Sequence, residues 1–427
     1  METGHPQSSI LVAPKQIEGG LHPRRVLVRS TNWLGDAVMT TPALLRLREK
    51  FPDAHITLLT PEKLRDLWRQ HPSIDSVITF TAGEGPLSVA LKLRPLNFKR
   101  FFYEIPEVEP NDTPWRVFVR FANTLSVGTS NRRLGFDLAL VLPNSPRSAL
   151  EVWLARIPQR IGYARSWRNW FLTTRVAPRP DAVKMRKHTP AEIHQLINRT
   201  VSEIENRKSK IGNASAHQIH EYLHLVAALG ANPEPLPPAL FVAPDEIEAA
   251  KKKFGLNVIG RTIFGLNPGA EYGPAKRWPV EKFIAAAREI QQRTNCVWLI
   301  FGGKGDIALT GQIAAALHAS RFTFHDLSGR TSLRELMALL KLCRVLLTND
   351  SGPMHAAAAL GTPVVVPFGS TSPELTGPGL PGDPRHRLLK SDAPCAPCFL
   401  RKCPIDFRCL NGISVERVVE AVLETLR

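Results

Sequence analysis

The chain reads as an α/β protein made of two doubly wound parallel sheets that face each other across a cleft. Three observations carry this reading. Short runs rich in Val, Ile and Leu alternate with segments of helical period along most of the sequence, the mark of strand–helix–strand units. The alternation is interrupted at Asn232-Pro-Glu-Pro-Leu-Pro-Pro238, where four prolines in seven residues cannot continue a helix and stiffen a connection. Several strands end in turns of Gly, Ser, Thr, Asn and Asp. In open parallel sheets such turns lie at the carboxyl ends of strands, where ligands bind.

The elements follow in order. Residues 1–22 read as a flexible tail. Residues 23–232 form a first domain, with strands at Val26–Val28, Ile56–Leu59, Val77–Phe80 and Leu138–Leu142 and an extended piece at Arg160–Tyr163. Its helices are expected at Ala37–Phe51, Pro61–Gln70, Ala149–Ile157, Ala191–Asn206 and Ala216–Leu229. Residues 84–133 hold several prolines and bulky side chains without a clear period, and read as an insertion. A linker at 233–239 leads to a second domain, 240–427. There strands are expected at Thr262–Leu266, Val297–Phe301, Val345–Leu347, Val364–Pro367 and Arg387–Leu389. Helices are expected at Val280–Arg293, Ile307–Ala319, Leu333–Leu342, Met354–Leu360 and Val415–Leu426.

With 427 residues there is ample chain for two cores, and 43% hydrophobic against 22% charged residues excludes an extended disordered chain. No run approaches the ~20 apolar residues of a membrane span. The patch Ile10–Ala13 is too brief for a signal-peptide core, so the cytoplasm is the expected compartment. The net charge of +17 is concentrated ahead of residue 233. It peaks between Arg156 and Lys187, where nine basic residues meet one acid, Asp181, with Tyr163, Trp167, Trp170 and Phe171 interleaved. Such a patch suits a polyanionic substrate, an anionic membrane surface or nucleic acid, or is a solvated basic face.

Four motifs bear on chemistry. Ser30-Thr-Asn-Trp-Leu-Gly-Asp36 joins the first strand to the first helix. Asp36 there either stabilises the helix dipole or accepts a proton from a hydroxyl nucleophile. Gly265 to Pro279 is a long glycine- and proline-rich loop in which Lys276 and Arg277 precede a helix start, a place suited to phosphate. Thr348-Asn-Asp-Ser-Gly352 opens an alanine-rich helix whose first N–H groups and positive dipole end suit a diphosphate. The fourth, Cys395-x2-Cys398-x4-Cys403-x5-Cys409, has a spacing that allows zinc or an iron–sulfur cluster as well as reduced thiols in a surface loop. Gly303, Gly305 and Ala308, with Asp326 beyond, mimic a nicotinamide-cofactor fingerprint, but after the second strand of their domain instead of the first. There is no D-x-D pair for a metal-held sugar nucleotide and no phosphate loop of the G-x-x-x-x-G-K-[ST] type. Sugar-diphosphate chemistry here must therefore rest on cations and helix dipoles.

Taken together, the motifs resemble the ADP-heptose:lipopolysaccharide heptosyltransferases, glycosyltransferase family 9, and most closely the heptosyltransferase II type. The matching segments are Asn32 to Leu44, Asn267 to Pro279, and Thr348 to Gly361 with Phe368-Gly-Ser-Thr-Ser-Pro373; Pro394 to Cys409 also looks like this type. The resemblance implies a GT-B architecture of two Rossmann-like domains. It implies an inverting transfer of L-glycero-D-manno-heptose from ADP-heptose to the inner core of lipopolysaccharide. Asp36 matches the general base and Lys276 the lysine on the donor diphosphate. Asp350, Ser351, Gly352 and His355 match the donor-binding turn, and Glu271 falls in the donor loop. The first domain would bind the acceptor, with Arg165 and Arg168 as candidate contacts. No cofactor is required by this reading, structural zinc or iron–sulfur at the four cysteines stays open, and nucleic acid is not an expected partner. The enzyme would work from the cytoplasm, peripheral to the inner face of the inner membrane. A related transferase acting on another glycan or on a protein, and a two-lobed binding protein, are the alternatives.

Overall fold

A computed structural model describes residues 21–94, 135–183, 185–198, 214–256 and 260–427. Nearly all of the expected tail, most of the 84–133 insertion, Lys184 and the end of the Ala191–Asn206 helix lie outside these residues. The first sheet contains β1 (Arg25–Arg29), β2 (His55–Pro61), β3 (Ser76–Phe80), β4 (Leu138–Val141), β5 (Gln159–Tyr163) and β6 (Thr174–Val176). The second contains β7 (Ile263–Asn267), β8 (Val297–Ile300), β9 (Phe324–Asp326), β10 (Leu346–Thr348), β11 (Val364–Phe368) and β12 (Arg387–Lys390). Every strand pair is parallel. The orders are β3-β2-β1-β4-β5-β6 and β12-β11-β10-β7-β8-β9. The same doubly wound order thus occurs twice. It reverses between β1 and β4 in one sheet and between β7 and β10 in the other, and crevices open at those two points.

The central strands are covered on both faces, which is why they read as unbroken apolar runs. Val26, Leu27 and Val28 of β1 are fully buried, as are Leu346 and Leu347 of β10. Each such side chain contributes about 1.5–3 kcal/mol relative to exposure. Helix starts follow local chemistry: Ser332 and Glu335 cap the Leu333–Leu342 helix reciprocally, and Thr189 and Glu192 do the same for Pro190–Ile197.

Several expectations change. The Ala37–Phe51 helix is two helices, Leu34–Met39 and Thr41–Lys50. Pro42 has no N–H to offer the Val38 carbonyl, and the Thr41 hydroxyl donates to that carbonyl instead, at 2.8 Å. Pro61–Gln70 is a tighter 3₁₀ helix, Glu62–Trp68. A helix at Pro244–Lys253 and the short edge strands β6 and β9 were not expected. The Pro190–Ile197 helix precedes the proline-rich segment in sequence, yet Ile193 and Leu196 join the apolar cluster beneath the second sheet. Within the proline-rich connection, the Ala239 N–H donates to the Thr41 hydroxyl at 3.1 Å and the Leu240 N–H to the Ala359 carbonyl at 3.1 Å, so it is bonded to both halves.

Burial pushes four histidines, His71, His217, His355 and His386, down to about 4. The unfolded chain takes up protons near pH 6.5 that the native state refuses. Stability is therefore complete above that value and is lost progressively as pH falls toward about 4, by up to about 3 kcal/mol per histidine. The denaturant midpoint is expected to drop steeply across this window; a flat midpoint would contradict the burial of these rings.

Candidate functional site

The two crevices meet. The Leu34–Met39 helix, which follows β1, packs its start against the start of the Gly352–Ala359 helix, which follows β10. Gly35 and Gly352 make this approach possible. A Cβ on Gly35 would stand 2.7 Å from Cδ2 of His355, and one on Gly352 would stand 2.9 Å from Cβ of Leu34. His355 is thus buried between the halves and held neutral.

Asp36 is half-buried in this contact. Burial raises its carboxyl above the ordinary carboxylate range; a hydrogen bond from Gln218 and the charge of Lys276 oppose that rise, while Asp350 adds to it. The Gln218 amide donates to Asp36 Oδ1 at 3.4 Å and to the Tyr222 hydroxyl at 2.8 Å. Behind the turn, Arg29 pairs with Glu151 at 2.7 Å, both fully buried, and its guanidinium also donates to the Ser30 carbonyl (2.6 Å) and to Asn32 Oδ1 (3.1 Å). The buried pair holds the shape of the turn that carries Asp36.

On the other side, Lys276 Nζ lies 2.6 Å from Asp350 Oδ2, which also accepts from the Thr371 hydroxyl. Lys276 sits 5.0 Å over the Tyr272 ring. Ser351 stands at the helix N-cap but makes no capping bond. Its hydroxyl is instead 3.2 Å from Asn267 Nδ2 and 3.2 Å from Thr348 Oγ1. A serine in this position ordinarily takes one of the free N–H groups of the first turn. With Ser351 turned toward β7 and β10, those groups keep no intramolecular acceptor from the cap, and an anion fits there beside Lys276.

Asp36, Lys276, Asp350, Ser351, Gly352 and His355 are therefore brought together. The other candidates lie elsewhere. Glu271 is at the rim, mostly exposed, 3.5 Å from Lys63 across the cleft. Arg277 turns away from Asp350, donating to the Ala270 carbonyl and to Asp306 at 3.2 and 3.3 Å. Arg165 is exposed on the loop after β5, and Arg168 is fully buried under that loop, one nitrogen on Asn144 Oδ1 at 3.1 Å. The Gly303–Asp326 fingerprint follows β8, off the crevice, and Asp326 is spent on Ser328.

Cys395, Cys398 and Cys409 are buried and Cys403 half-buried around one narrow, apolar cleft that Ala275 also lines. Among the described residues no group of three or more His, Cys, Asp or Glu is placed to hold a metal ion. What this loop visibly does is brace the loop that carries Lys276: the Ala275 N–H donates to the Arg401 carbonyl, Arg401 donates to the Tyr272 carbonyl at 2.7 Å, and the Tyr272 hydroxyl to that of Phe399 at 2.7 Å.

Sequence reasoning missed Gln218, which is 182 positions from Asp36, and the Arg29–Glu151 pair. It also missed His220-Glu-Tyr-Leu-His224, a zinc-hydrolase spacing on the Ile219–Ala227 helix. The structure spends that motif on packing. His224 lies 3.2 Å from the Ala177 carbonyl and stacks on Tyr163, and Glu221 is 3.9 Å from Arg179.

With this geometry in hand, comparison with known proteins is specific. The family model of glycosyltransferase family 9 (heptosyltransferase) matches residues 183–407. The chain is 29% identical to lipooligosaccharide heptosyltransferase 2 of Haemophilus ducreyi, over 83% of this chain and 86% of that one. It is 27% identical to lipopolysaccharide heptosyltransferase 2 of Salmonella typhimurium, over 83% and 85%. In fold it is similar to the solved ADP-heptose LPS heptosyltransferase II of E. coli, with a TM-score of 0.64 and 24% identity, over 94% of this chain and 98% of that one.

Proposed function

The chain belongs to glycosyltransferase family 9, the heptosyltransferases, and from that premise we propose that it moves L-glycero-D-manno-heptose from ADP-heptose to the inner core of lipopolysaccharide, as a heptosyltransferase of the II type. The uncapped helix start beside Lys276 is the observation that carries this reading, because it is a site for a departing nucleoside diphosphate. The names of the relatives supply the sugar and the class of acceptor.

In the reaction, an acceptor hydroxyl oxygen forms a bond to the anomeric carbon, and the bond from that carbon to the diphosphate oxygen breaks with its electron pair leaving on ADP. The hydroxyl proton passes to Asp36. Attack from the face opposite the leaving group inverts the anomeric centre. Lys276 and the free N–H groups offset the charge that develops on the diphosphate, and Asp350 holds the ammonium in place. Burial makes Asp36 a stronger base than an exposed aspartate. The acceptor is carried on a lipid, so the enzyme works at a membrane surface; no helix among the described residues is long and apolar enough to cross one.

Incubation with ADP-heptose and a lipid-free inner-core oligosaccharide is expected to release ADP and add one heptosyl mass, with UDP-sugars at least about tenfold poorer donors. Transfer only to protein, or equal use of UDP-sugars, would redirect the reading. Gln218 is a positioning residue for the base. Its amide stabilises the charged carboxylate, so Gln218→Leu raises Asp36 further and moves the acid limb of kcat/KM to higher pH. A pH profile that keeps its acid limb while kcat falls would make Gln218 merely structural.

A further inference from the structure

We propose that the loop between β5 and β6, residues 164–173, is the surface on which the enzyme rests against a bilayer bearing anionic headgroups, with Trp167 and Trp170 as its interfacial side chains. The proposal rests on the lipid-borne acceptor of the preceding reading and adds the place of contact.

Trp167 and Trp170 are 82% and 84% exposed, the highest values among the exposed large apolar side chains of the described residues. One exposed apolar residue needs no explanation, but two tryptophans within four residues on one loop do. The loop is built to present them. The Arg168 side chain is a buried peg beneath it, its Nη1 on Asn144 and its Nη2 packed against Gly162. The Arg165 N–H donates to Asn169 Oδ1 at 2.9 Å, and the Arg175 guanidinium donates to the Asn169 carbonyl at 3.2 Å. Phe171 leans on Trp153, with ring centroids 5.6 Å apart. Trp167 itself adopts φ +67°, a left-handed conformation that a bulky residue takes only where its surroundings hold it there.

Among the described residues the charge around the pair is positive. Arg165 and Arg175 are exposed on the same loop and on β6. The nearby acids, Asp181 and Glu221, face Arg179 at 2.7 and 3.9 Å. Indole rings sit at the headgroup level of a bilayer, apolar body inward and N–H toward the polar layer, and arginines beside them attract anionic lipid. Direction agrees with function. The strands of the first sheet are parallel, so the loop after β5 opens at the same end of the sheet as the turn after β1 that carries Asp36. A bilayer touching this loop brings its own lipid-borne sugars to the side of the base.

The test uses the full-length chain in flotation with phosphatidylcholine vesicles, with and without phosphatidylglycerol. The wild type is expected to float with the anionic vesicles and to be released by salt. Trp167→Ser/Trp170→Ser is expected to lower the partition at least about tenfold, while ADP release with the lipid-free oligosaccharide stays within about twofold of wild type. Unchanged flotation of the double variant overturns the proposal. Equal loss of turnover on the lipid-free acceptor also overturns it, because the tryptophans would then hold sugar. Displacement of the protein from vesicles by single-stranded RNA at equal charge would assign the patch to nucleic acid instead. Failure of the wild type to release ADP at all would count against the activity and not against the docking surface, which flotation reads separately.

Discussion

Asp36→Asn is expected to lower kcat by about 10²–10⁴-fold, the span that a positioned general base contributes, and to make the folded protein more stable. The two effects have one cause. The Asp36 carboxyl is raised above its ordinary range chiefly by burial. A raised aspartate means that the native state holds the carboxylate at a cost whenever the pH lies above its unfolded value. Asparagine keeps the shape and the bond to Gln218 without the charge, so that cost disappears at neutral pH. Rate loss corresponds to about 3–5 kcal/mol of transition-state stabilisation. Initial rates of ADP release and thermal melts on the same preparation measure both quantities. A variant that is slower and less stable would make Asp36 a structural aspartate; one that is as fast as wild type would remove it from the reaction.

Lys276→Ala is expected to lower kcat/KM by about 10²–10³-fold, because a preorganised cation on the leaving diphosphate is lost. Here stability moves the other way. Asp350 is almost fully buried and faces Lys276 at 2.6 Å. Removing the lysine leaves a buried carboxylate that keeps the Thr371 hydroxyl but has lost its cation, a loss of about 3–5 kcal/mol by the usual behaviour of half-broken buried pairs. Activity in this single variant therefore mixes two effects. The double variant Lys276→Ala/Asp350→Ala separates them: its melting temperature recovers toward wild type and its kcat/KM does not. Recovery of turnover in the double variant would show that Lys276 serves only to neutralise Asp350.

Much of this was legible in the chain itself, for physical reasons that differ by element. The central strands of both sheets announce themselves because they are buried on both faces and spell continuous Val, Ile and Leu. Edge strands do not: β6 is Thr174-Arg-Val176 and β9 is Phe324-His-Asp326, three residues each and partly open to solvent. The Pro244–Lys253 helix buries only Ala250 of its ten residues, so its apolar stripe is too thin to read. The turns of Asp36 and of Asp350 to Gly352 stood out because glycine, serine and aspartate cluster after strands. Gln218 gave no such signal, since its role exists only through a contact made across the fold. Lys276 and Arg277 are neighbours that read alike, and only the backbone direction after Gly273 decides that one meets Asp350 and the other Asp306. Cysteine spacing allows a metal or reduced thiols, and in the fold all four thiols line one narrow apolar cleft.

The paired glycines at the meeting of the two helix starts have a consequence for inheritance. Gly35 leaves room for a histidine that belongs to the other half of the chain, and Gly352 leaves room for a leucine that belongs to the first half. Each half stores, as a missing atom, part of the outline of its partner. A half imported from a relative is therefore expected to dock well only where it carries the matching gap, which the melting temperature of such a recombinant would measure. The connection between the halves is itself bonded to both, through Thr41 and Ala359, and at the seam between the helices of Asp36 and His355 the two faces are cut to one another.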